Sequence, residues 1–579
     1  MPRRDSETAI EGSVLARLGC ALRVSLASGY GARDLRTDIL AGLVVGVVAL
    51  PLAMALAIAS GVPPQHGLYT SIIAGALIAV CGGSRVSVSG PTAAFVVLLV
   101  PVSARFGVGG LLIASMMAGV MLCLMGIARL GKLIQFIPHP VTTGFTAGIG
   151  VVIAGLQLKD FFGLRPETNP EHFTDKLVAY VHAYPTIHHW ELVVGAFTLF
   201  LLLVWPRITK KIPAPLVAVG IATLVSYWLA HTVDGFEVAT IGSRFGGIPR
   251  AAPALAWPWD YPGPDGQPIG LSLDTLRALM SPAVAIAVLG AIESLLCAVV
   301  ADGMAGTRHD SDVELVAQGL GNVVAPLFGG FAATGAIART TTGIRAGARS
   351  PISAITHALF VLVAVLALAP LLYWLPMAAL AAMLMLVAWH MSDARHFVHV
   401  LRVAPKGDVA VLLTCFFLTV IFDMTIAVGV GVVLAAFFFM NRMSEMFQAA
   451  PAQSPHEQMK DPTLVGVVVY SIRGPLFFGA AEKAVGALTR VQSKTRAVIL
   501  QMDGVPVMDV TGLVALESAL ARLRKARVFV AISGVQPQPR QILEKAGIHD
   551  DSTWISVCST GEEALASVRA HLARDAAGG

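Results

Sequence analysis

The sequence predicts an α-helical polytopic membrane protein, with about 14 spans in two halves of about seven and a small α/β domain after them. Hydrophobic residues make up 55% of the 579 residues, charged residues make up 13%, and the mean hydropathy is +0.73. Apolar segments recur from about residue 38 to residue 440, and two of them are interrupted by glycine-rich stretches. Soluble proteins do not have this composition, so the chain is expected to lie in a lipid bilayer.

The spans follow from apolar runs of about 20 residues, the length at which a helix crosses a bilayer. Residues 39–84 contain no Asp, Glu, Lys or Arg and are divided by Pro63 and Pro64, which predicts two spans and a turn. Further runs begin near Val108, Val141, Leu192, Pro213, Ser281, Leu315, Ile352, Pro376, Val409 and Thr425. Two shorter segments after Gly90 and Gly335 bring the count to about 14.

An even number of spans places both termini on one side of the membrane, and basic residues indicate which side. The loops and span ends on the side of the arginine-rich N-terminus carry Arg85, Arg129, Lys132, Arg207, Lys210, Lys211, Arg308, Arg345, Arg349, Arg395, Arg402 and Lys406. We therefore expect a multi-pass protein of the bacterial inner membrane with both termini in the cytoplasm. Residues 1–37 are predicted to be a cytoplasmic segment without a cleaved signal, and residues 38–443 the transmembrane domain.

The character of the chain changes after Arg442. A polar linker, residues 444–462, leads to the β-branched runs "LVGVVVYSI", "RAVILQMD" and "ARVFVAIS", which are separated by helix-like stretches. This alternation predicts a small cytoplasmic α/β domain at residues 463–579. The six cysteines form no CxxC pair, and no P-loop or nucleophile elbow occurs. We expect no metal, no cofactor, no nucleic-acid partner and no enzymatic activity.

The segment "SVSGPTAAFVV", residues 87–97, alternates like a strand, breaks at Gly90 and Pro91, and then has a helical pattern. Non-helical backbone at membrane depth must be buried in protein or line a cavity, because lipid cannot satisfy its polar groups. Proline is tolerated in the first turn of a helix. We therefore expect a strand followed by a half-helix whose free N–H groups carry partial positive charge; an ordinary kinked helix is the alternative.

A similar segment, "GGFAATGAIARTTTGIRAG" at residues 329–347, lies in the second half of the chain and enters from the opposite face. Such pairs point to a midplane binding site in an inverted-repeat transporter. Arg339 lies in this segment, and residues 315–392 contain no Asp or Glu. Since a lone arginine at the bilayer centre costs about 2.5 to 3.5 kcal/mol on insertion scales, a bound anion is the simplest counter-charge.

Two alternatives to a bound anion remain at this point. Arg339 could extend to a membrane interface, or it could pair with a distant acid such as Glu293. Glu293 is the one carboxylate well inside its span. We expect it either to hold a coupled proton or cation or to be a structural partner of Arg339 or of backbone donors.

Five stretches, "DILAGLVVGVVALPLAMALA", "PPQHGLYTSIIAG", "SVSGPTAA", "IARTTTGIRAG" and "VILQMDGVPVMDVTGL", together resemble the sulfate permease (SulP) family of anion transporters, whose cytoplasmic end is a STAS domain. The resemblance covers nearly the whole chain. It implies 14 spans in two inverted seven-span repeats with core and gate parts, a homodimer, and an anion site between the half-helices of spans 3 and 10. By position, that site comprises Thr92, Ala93, Ala94, Phe95, Ala338, Arg339 and Thr340.

Two positions depart from the pattern of sulfate-transporting members. Leu52 follows Pro51 where a polar residue is often found, and Ala338 replaces the hydroxyl residue that often precedes the arginine of span 10. The strings "GGSRVSVSGPTAAFVVLLVPVS", "LGAIESLLCAVVADGMAGT" and "ARSPISAITHAL" look similar to a bacterial member that imports C4-dicarboxylates. The expectation is proton-coupled symport of succinate, fumarate and aspartate. The alternatives are proton- or sodium-coupled sulfate or bicarbonate transport, or an anion channel.

In the C-terminal domain, "MDVTGL" resembles the loop whose hydroxyl is phosphorylated in related regulatory proteins. Thr511 is the only acceptor in this loop. Because a hydroxyl at a helix start is also a common cap, a structural loop or a docking loop for a cytoplasmic protein partner is favoured over phosphorylation.

Overall fold

The structure is a computed structural model that describes residues 13–132, 138–168, 170, 172–209, 212–422, 424–445, 448–451, 464–477, 495–551 and 553–577. It divides into two compact units, Met1–Val432 and Val433–Gly579. Most of the predicted linker lies outside the described residues, as do residues 1–12 of the N-terminal segment, Lys210 and Lys211. The bounds of the four predicted domains stay predictions.

The first unit and the helix that crosses its boundary are almost entirely helical. The α-helices are α1 Cys20–Ala27, α2 Ala32–Ala59, α3 Pro64–Cys81, α4 Ala93–Ile127, α5 His139–Phe162, α6 Phe173–His182, α7 His189–Ile208, α8 Ala214–Thr232, α9 Ile241–Phe245, α10 Leu273–Ala305, α11 Ser311–Val324, α12 Ile337–Arg345, α13 Ile352–Leu372, α14 Met377–Ser392, α15 Ala394–Val403, α16 Lys406–Ile421 and α17 Met424–Glu445.

Among the described residues, nine helices are long and apolar enough to cross a membrane. One of them, α4, has a non-helical residue at Gly107 (φ 69°), where the sequence predicts one span to end and the next to begin. The second part of α4 and the shorter helices α3, α11, α12 and α16 account for the remaining predicted spans. The predicted α-helical polytopic fold is confirmed.

The helices pack in two groups. In the first, α2 packs against α3 and α13, and α4 packs against α10 and α11. In the second, α5 packs against α7, α14 and α16, and α7 packs against α8. Both interrupted segments belong to the first group, since strand β1 (Ser89–Gly90) precedes α4 and strand β2 (Thr334–Gly335) precedes α12. The two strands pair antiparallel, with Ser89 opposite Gly335 and Gly90 opposite Thr334. The alternative of an ordinary kinked helix at residues 87–97 is therefore wrong.

The second unit contains one five-stranded sheet. Its strands are β3 Gln448–Pro451, β4 Val467–Arg473, β5 Ala497–Gly504, β6 Phe529–Ser533 and β7 Ile555–Cys558. They lie in that order, β3 antiparallel to β4 and the others parallel, and the helices Val510–Lys525, Pro537–Lys545 and Gly561–Ala577 accompany them. Apolar clusters cover both faces, with Leu500 and Leu520 in one and Phe529 and Leu572 in the other. The predicted α/β domain is confirmed.

The predicted linker contains one element that the sequence did not indicate, because Gln448–Pro451 forms strand β3. This stretch has no β-branched residue, so no propensity signal marks it. It is a strand because its backbone pairs with the edge of β4, opposite Tyr470 to Arg473. A short edge strand of this kind depends on its neighbour rather than on its own side chains.

The loop between α10 and α11 contains a histidine with a carboxylate partner: Nδ1 of His309 lies 2.6 Å from Oδ2 of Asp302. Burial disfavours the charged imidazole, but the hydrogen bond and the charge of Asp302 outweigh burial and raise the pKa of His309 above its usual value. Because the folded pKa is raised, this contribution to stability is fully present below the usual pKa of about 6.5 and is lost as the pH rises through the folded pKa.

We expect the difference in apparent Tm between the wild type and His309→Gln to shrink as the pH rises from about 6 to about 9. Thermal unfolding of the detergent-purified protein at each pH measures this difference. His182→Gln changes an exposed histidine and should produce no such pH dependence. A constant difference between wild type and His309→Gln over the whole range would contradict the role of the His309–Asp302 pair.

Candidate functional site

Helices α4 and α12 both begin at the paired strands β1 and β2. Thr92 is the N-cap of α4 and Ala336 is the N-cap of α12, and neither side chain accepts a hydrogen bond from its helix. The first N–H groups of both helices therefore have no side-chain cap, and both helix starts carry partial positive charge. Pro91 lies before the N-cap and not in the first turn, because Gly90 still pairs with β2 and the helix starts only at Ala93.

Arg339 lies in the first turn of α12 and is 2% exposed. Its Nη2 donates a hydrogen bond to the carbonyl oxygen of Pro91 at 2.7 Å. Its Nε and Nη1 have no hydrogen-bond partner among the described residues. A buried charged group with two unsatisfied donors is costly unless something else accepts from them. The environment of Arg339 thus favours a bound anion.

Neither alternative for Arg339 fits the structure. The side chain is buried, so it does not extend to a membrane interface. None of the ion pairs formed by the described residues includes Arg339. Glu293, the acid that the sequence offered as a partner, instead accepts a hydrogen bond from Oγ1 of Thr92 at 3.0 Å.

Gly90 allows the guanidinium of Arg339 to approach strand β1. A Cβ atom at position 90 would lie 2.2 Å from Nη1 of Arg339 and 3.4 Å from Oγ of Ser71. No side chain fits this gap while the arginine keeps its position, because real Cβ atoms do not approach other heavy atoms so closely. Glycine at this position therefore allows the contact between Arg339 and the end of β1.

Helix α10 makes side-chain contacts with the starts of both half-helices. Glu293 is half-buried and binds the N-cap of α4 through Thr92. One residue further along, Oγ of Ser294 lies 2.6 Å from Oγ1 of Thr334 in β2. One turn later, Sγ of Cys297 lies 3.2 Å from Oγ1 of Thr340 in α12. A shift of α10 would therefore act on both helix starts together.

The remaining predicted site residues differ in their surroundings. Ala93, Ala94 and Phe95 are buried in the first turn of α4. Ala338 is exposed, so the start of α12 opens to accessible space on that side. The hydroxyl of Thr340 accepts a hydrogen bond from the backbone N–H of Val88 at 2.9 Å, which places it against the entry to β1. The structure brings Thr92, Arg339 and Glu293 to one region, and the contact of each predicted residue with an anion stays a prediction.

A polar stripe on α11 was missed by the sequence analysis. Oε2 of Glu314 accepts hydrogen bonds from the N–H groups of Gly83 and Ser84 at 3.0 and 3.1 Å. One turn on, Nε2 of Gln318 donates to Oγ of Ser89 in β1. These contacts hold the segment that leads into the first half-helix.

Asn322, the third residue of the stripe, holds the segment that leads into strand β2. Asn322 bonds both backbone groups of Ala333, donating to its carbonyl at 2.8 Å and accepting from its N–H at 2.6 Å. The signal was present in "ELVAQGLGN", where polar residues recur every four positions in an apolar helix. One helix thus fixes both strands of the candidate site.

Comparison with known proteins identifies the family. The model of the sulfate permease family matches residues 35–414, and that of the STAS domain matches residues 458–564. The chain belongs to the sulfate permease family. It is therefore a multi-pass membrane protein of a family of anion transporters, with a STAS domain at its C-terminal end.

Two relatives and one solved structure show what this family member is similar to. It is 42% identical to the Bacillus subtilis protein called "Putative sulfate transporter YvdB", over 90% of this chain and 95% of that protein. It is 31% identical to the bicarbonate transporter BicA of Picosynechococcus sp., over 89% of this chain and 91% of that protein. The murine Slc26a9 anion transporter in its inward-facing state shares the fold, with a TM-score of 0.82 at 18% identity over 98% of this chain and 96% of that one.

These relatives do not support the expected C4-dicarboxylate substrate, since their names refer to sulfate and bicarbonate. The three strings that suggested dicarboxylates are residues 82–103, 289–307 and 348–359, and most of their residues lie in α4, α10 and α13, outside the predicted anion site. Likeness in scaffold segments indicates the fold and not the ligand. The comparisons therefore show an anion transporter of this family and do not support the expectation of a C4-dicarboxylate.

In the STAS domain, Thr511 is exposed at the start of the helix Val510–Lys525. The sequence suggested that the Thr511 hydroxyl caps this helix, but it does not. Instead, Oδ1 of Asp509 accepts a hydrogen bond from the N–H of Gly512 at 2.7 Å. The capping role thus belongs to Asp509, which lies at the N-cap position. Phosphorylation of Thr511 and the docking of a partner protein stay predictions.

Proposed function

We propose that this protein is a secondary active transporter of a small inorganic oxyanion, sulfate or bicarbonate, and that it works by alternating access. The observation that carries the proposal is the pair of unpartnered N–H groups of buried Arg339 beside two uncapped helix starts. Oxyanions accept several hydrogen bonds and suit such groups. Sulfate is placed first because the relative named for it is the more similar one.

In the proposed mechanism, the anion lies between the starts of α4 and α12, with Thr92, Ala93, Ala94 and Phe95 on one side and Ala338, Arg339 and Thr340 on the other. Arg339 supplies charge, and the free N–H groups of the helices supply directed donors. Because α10 contacts both helix starts, the first helix group can carry the occupied site as one body past the second group.

Uptake of radiolabelled sulfate and of radiolabelled bicarbonate into proteoliposomes tests the substrate, with each anion and succinate as unlabelled competitors. We expect saturable, uphill uptake of one oxyanion, and little competition by succinate. Uptake of succinate without uptake of either oxyanion would overturn the substrate. Ohmic current without accumulation would overturn active transport and favour a channel.

Glu293 is proposed as the site of the coupled proton or sodium ion, since it contacts the N-cap of α4 directly. Glu293→Gln keeps the size and the hydrogen bond to Thr92 but removes the charge. We expect this variant to lose uphill accumulation driven by an ion gradient while retaining exchange of labelled for unlabelled anion. Gradient-driven accumulation at the wild-type level would contradict the assignment.

The assembly and orientation are also proposed. A position of both termini in the cytoplasm agrees with the distribution of arginine and lysine along the chain. A homodimer in the bacterial inner membrane is proposed because the family resemblance implies one. The STAS domain would then lie in the cytoplasm, where a protein partner could reach the exposed Thr511.

A further inference from the structure

A cavity with polar and aromatic lining residues lies in the second helix group. It has a volume of about 780 Å³, within the range of small-molecule sites. It is lined by the end of α5, the start of α7, the end of α8, residues 236–244 with part of α9, and the connection between α13 and α14. It shares no lining residue with the site at β1 and β2. The cavity is thus a different place from the proposed transport site.

Three polar atoms on the wall of this cavity have no hydrogen-bond partner among the described residues. They are Oε2 of Glu191, Nδ1 of His188 and Oγ of Ser226. Glu191 is 7% exposed and Ser226 is 4% exposed, and they come from different helices. Buried polar groups are nearly always satisfied, so three orphans around one cavity indicate a ligand that supplies their partners.

The carboxylate of Glu191 is held firmly in place. Its Oε1 accepts a hydrogen bond from the N–H of Ala239 at 2.8 Å, and the carbonyl of Ala239 accepts from the N–H of Met377 at 2.8 Å. Gly163 has φ 64°, and a Cβ there would lie 2.8 Å from both Cγ of Glu191 and Cβ of His188. The close approach of α5 therefore fixes both side chains, and one oxygen of Glu191 stays unbonded at the cavity wall.

Some charged side chains on the cavity wall pair with each other, and others form no ion pair among the described residues. Arg244 and Asp160 pair with each other at 2.6 Å. Among the ion pairs of the described residues, Glu191 has no cation, and Lys159 and Arg165 have no carboxylate. The wall therefore carries a carboxylate and two cations that form no ion pair among the described residues. A ligand with one sign of charge would leave the other sign unmatched.

The rest of the wall is aromatic, with Tyr227, Tyr373 and Trp374. Such rings accept an apolar body, and their faces also attract ammonium groups. We propose that this cavity binds a zwitterion, with its ammonium at Glu191, its anionic group at Lys159 and Arg165, and its apolar part against the aromatic side chains. A free amino acid with an apolar side chain and a zwitterionic lipid headgroup both have this chemistry.

Thermal unfolding of the detergent-purified full chain tests the proposal with three probes of one shape: L-phenylalanine, 2-phenylethylamine and 3-phenylpropionate. Only the first carries both charges. We expect L-phenylalanine to raise the apparent Tm with a saturable dependence on concentration, and the two singly charged probes to bind at least about tenfold more weakly. Phosphatidylethanolamine and phosphatidylglycerol, added to the same detergent, form the lipid arm.

Variants show whether the ligand binds in this cavity or at the proposed transport site. Glu191→Gln should weaken the response at least about tenfold, and Arg165→Gln, at an exposed position, provides the same test if the first variant fails to fold. Glu237→Gln, an exposed acid on the same wall, and Arg339→Ala should both respond as the wild type does. A response to phosphatidylethanolamine alone, lost in Arg165→Gln, supports the proposal with a lipid as the ligand.

Three outcomes would overturn the proposal. They are no stabilisation of the wild type by L-phenylalanine or phosphatidylethanolamine, equal stabilisation by 2-phenylethylamine or by 3-phenylpropionate, and an unchanged response in both Glu191→Gln and Arg165→Gln. None of these outcomes bears on anion transport, because Arg339 lies in the other helix group.

Discussion

Arg339→Ala should abolish saturable anion uptake while the protein remains folded in the membrane. The substitution removes the charge and the two N–H groups that have no partner among the described residues. A hydrogen bond to a charged group contributes about 1.5 to 3 kcal/mol, so the apparent affinity should fall by about 100-fold or more. Because Arg339 has no carboxylate partner, its removal leaves no uncompensated buried charge behind, and the protein should still fold.

The matched control is Arg345→Ala, because Arg345 is an exposed arginine on the same helix. Uptake of the labelled anion into proteoliposomes, over a range of concentrations, measures both variants. Arg345→Ala should keep the wild-type KM. Unchanged uptake and affinity in Arg339→Ala would refute the role of this arginine.

Gly90→Ala should weaken anion affinity severely with only a small loss of stability. The new Cβ would lie 2.2 Å from Nη1 of Arg339, and that atom is the end of a flexible side chain. The guanidinium is therefore displaced, while the backbone pairing of β1 and β2 can remain. Gly220→Ala is the control, since nothing lies within 4 Å of a Cβ at that position of α8.

A double-mutant cycle makes this prediction specific. If Gly90→Ala acts through Arg339, it should add little to the defect of Arg339→Ala, because the displaced group is already absent. The rate of uptake and the apparent Tm of all four proteins measure the cycle. Additive effects on uptake would contradict the argument, and so would unfolding of Gly90→Ala alone.

The membrane fold and the two interrupted segments were predictable from the sequence for simple physical reasons. Uncharged segments of bilayer length leave a chain little choice other than spanning helices. The Gly90–Pro91 break and the glycine-rich entry at Gly335 cannot continue a helix, so the interruptions were visible. The absence of acids near Arg339 in sequence corresponds to its lack of an ion-pair partner among the described residues.

Other features depend on contacts between distant parts of the chain. The pairing of Gly90 with Thr334 and the bonds from Asn322 to Ala333 are tertiary contacts that no local pattern specifies. The hydrogen bond from Thr92 to Glu293 joins residues 201 positions apart. Strand β3 forms only because β4 offers an edge. Sequence patterns indicate which secondary structure a segment prefers and which side chains are buried. They do not indicate which distant segments pair with each other.

The identity of the anion could not be predicted for a related reason. A guanidinium and free backbone N–H groups recognise negative oxygen atoms in general. Discrimination between a dicarboxylate and an oxyanion depends on the shape of the site and on groups that would be left unpaired by the wrong ligand. The similarity of scaffold strings suggested the dicarboxylate, and the relatives favour the oxyanions.

The most direct test of the central claim is protection of a cysteine at position 338 by the transported anion. Ala338 is exposed at the start of α12, so Ala338→Cys should react with a charged thiol reagent, and the wild type measures the background of its six native cysteines. At about 100 times its Kd, the transported anion should slow the reaction by roughly 100-fold. Ala254→Cys, in an exposed loop, should react at the same rate with and without the anion. An unprotected cysteine at position 338, in protein that transports the anion, would contradict a site between the two half-helices.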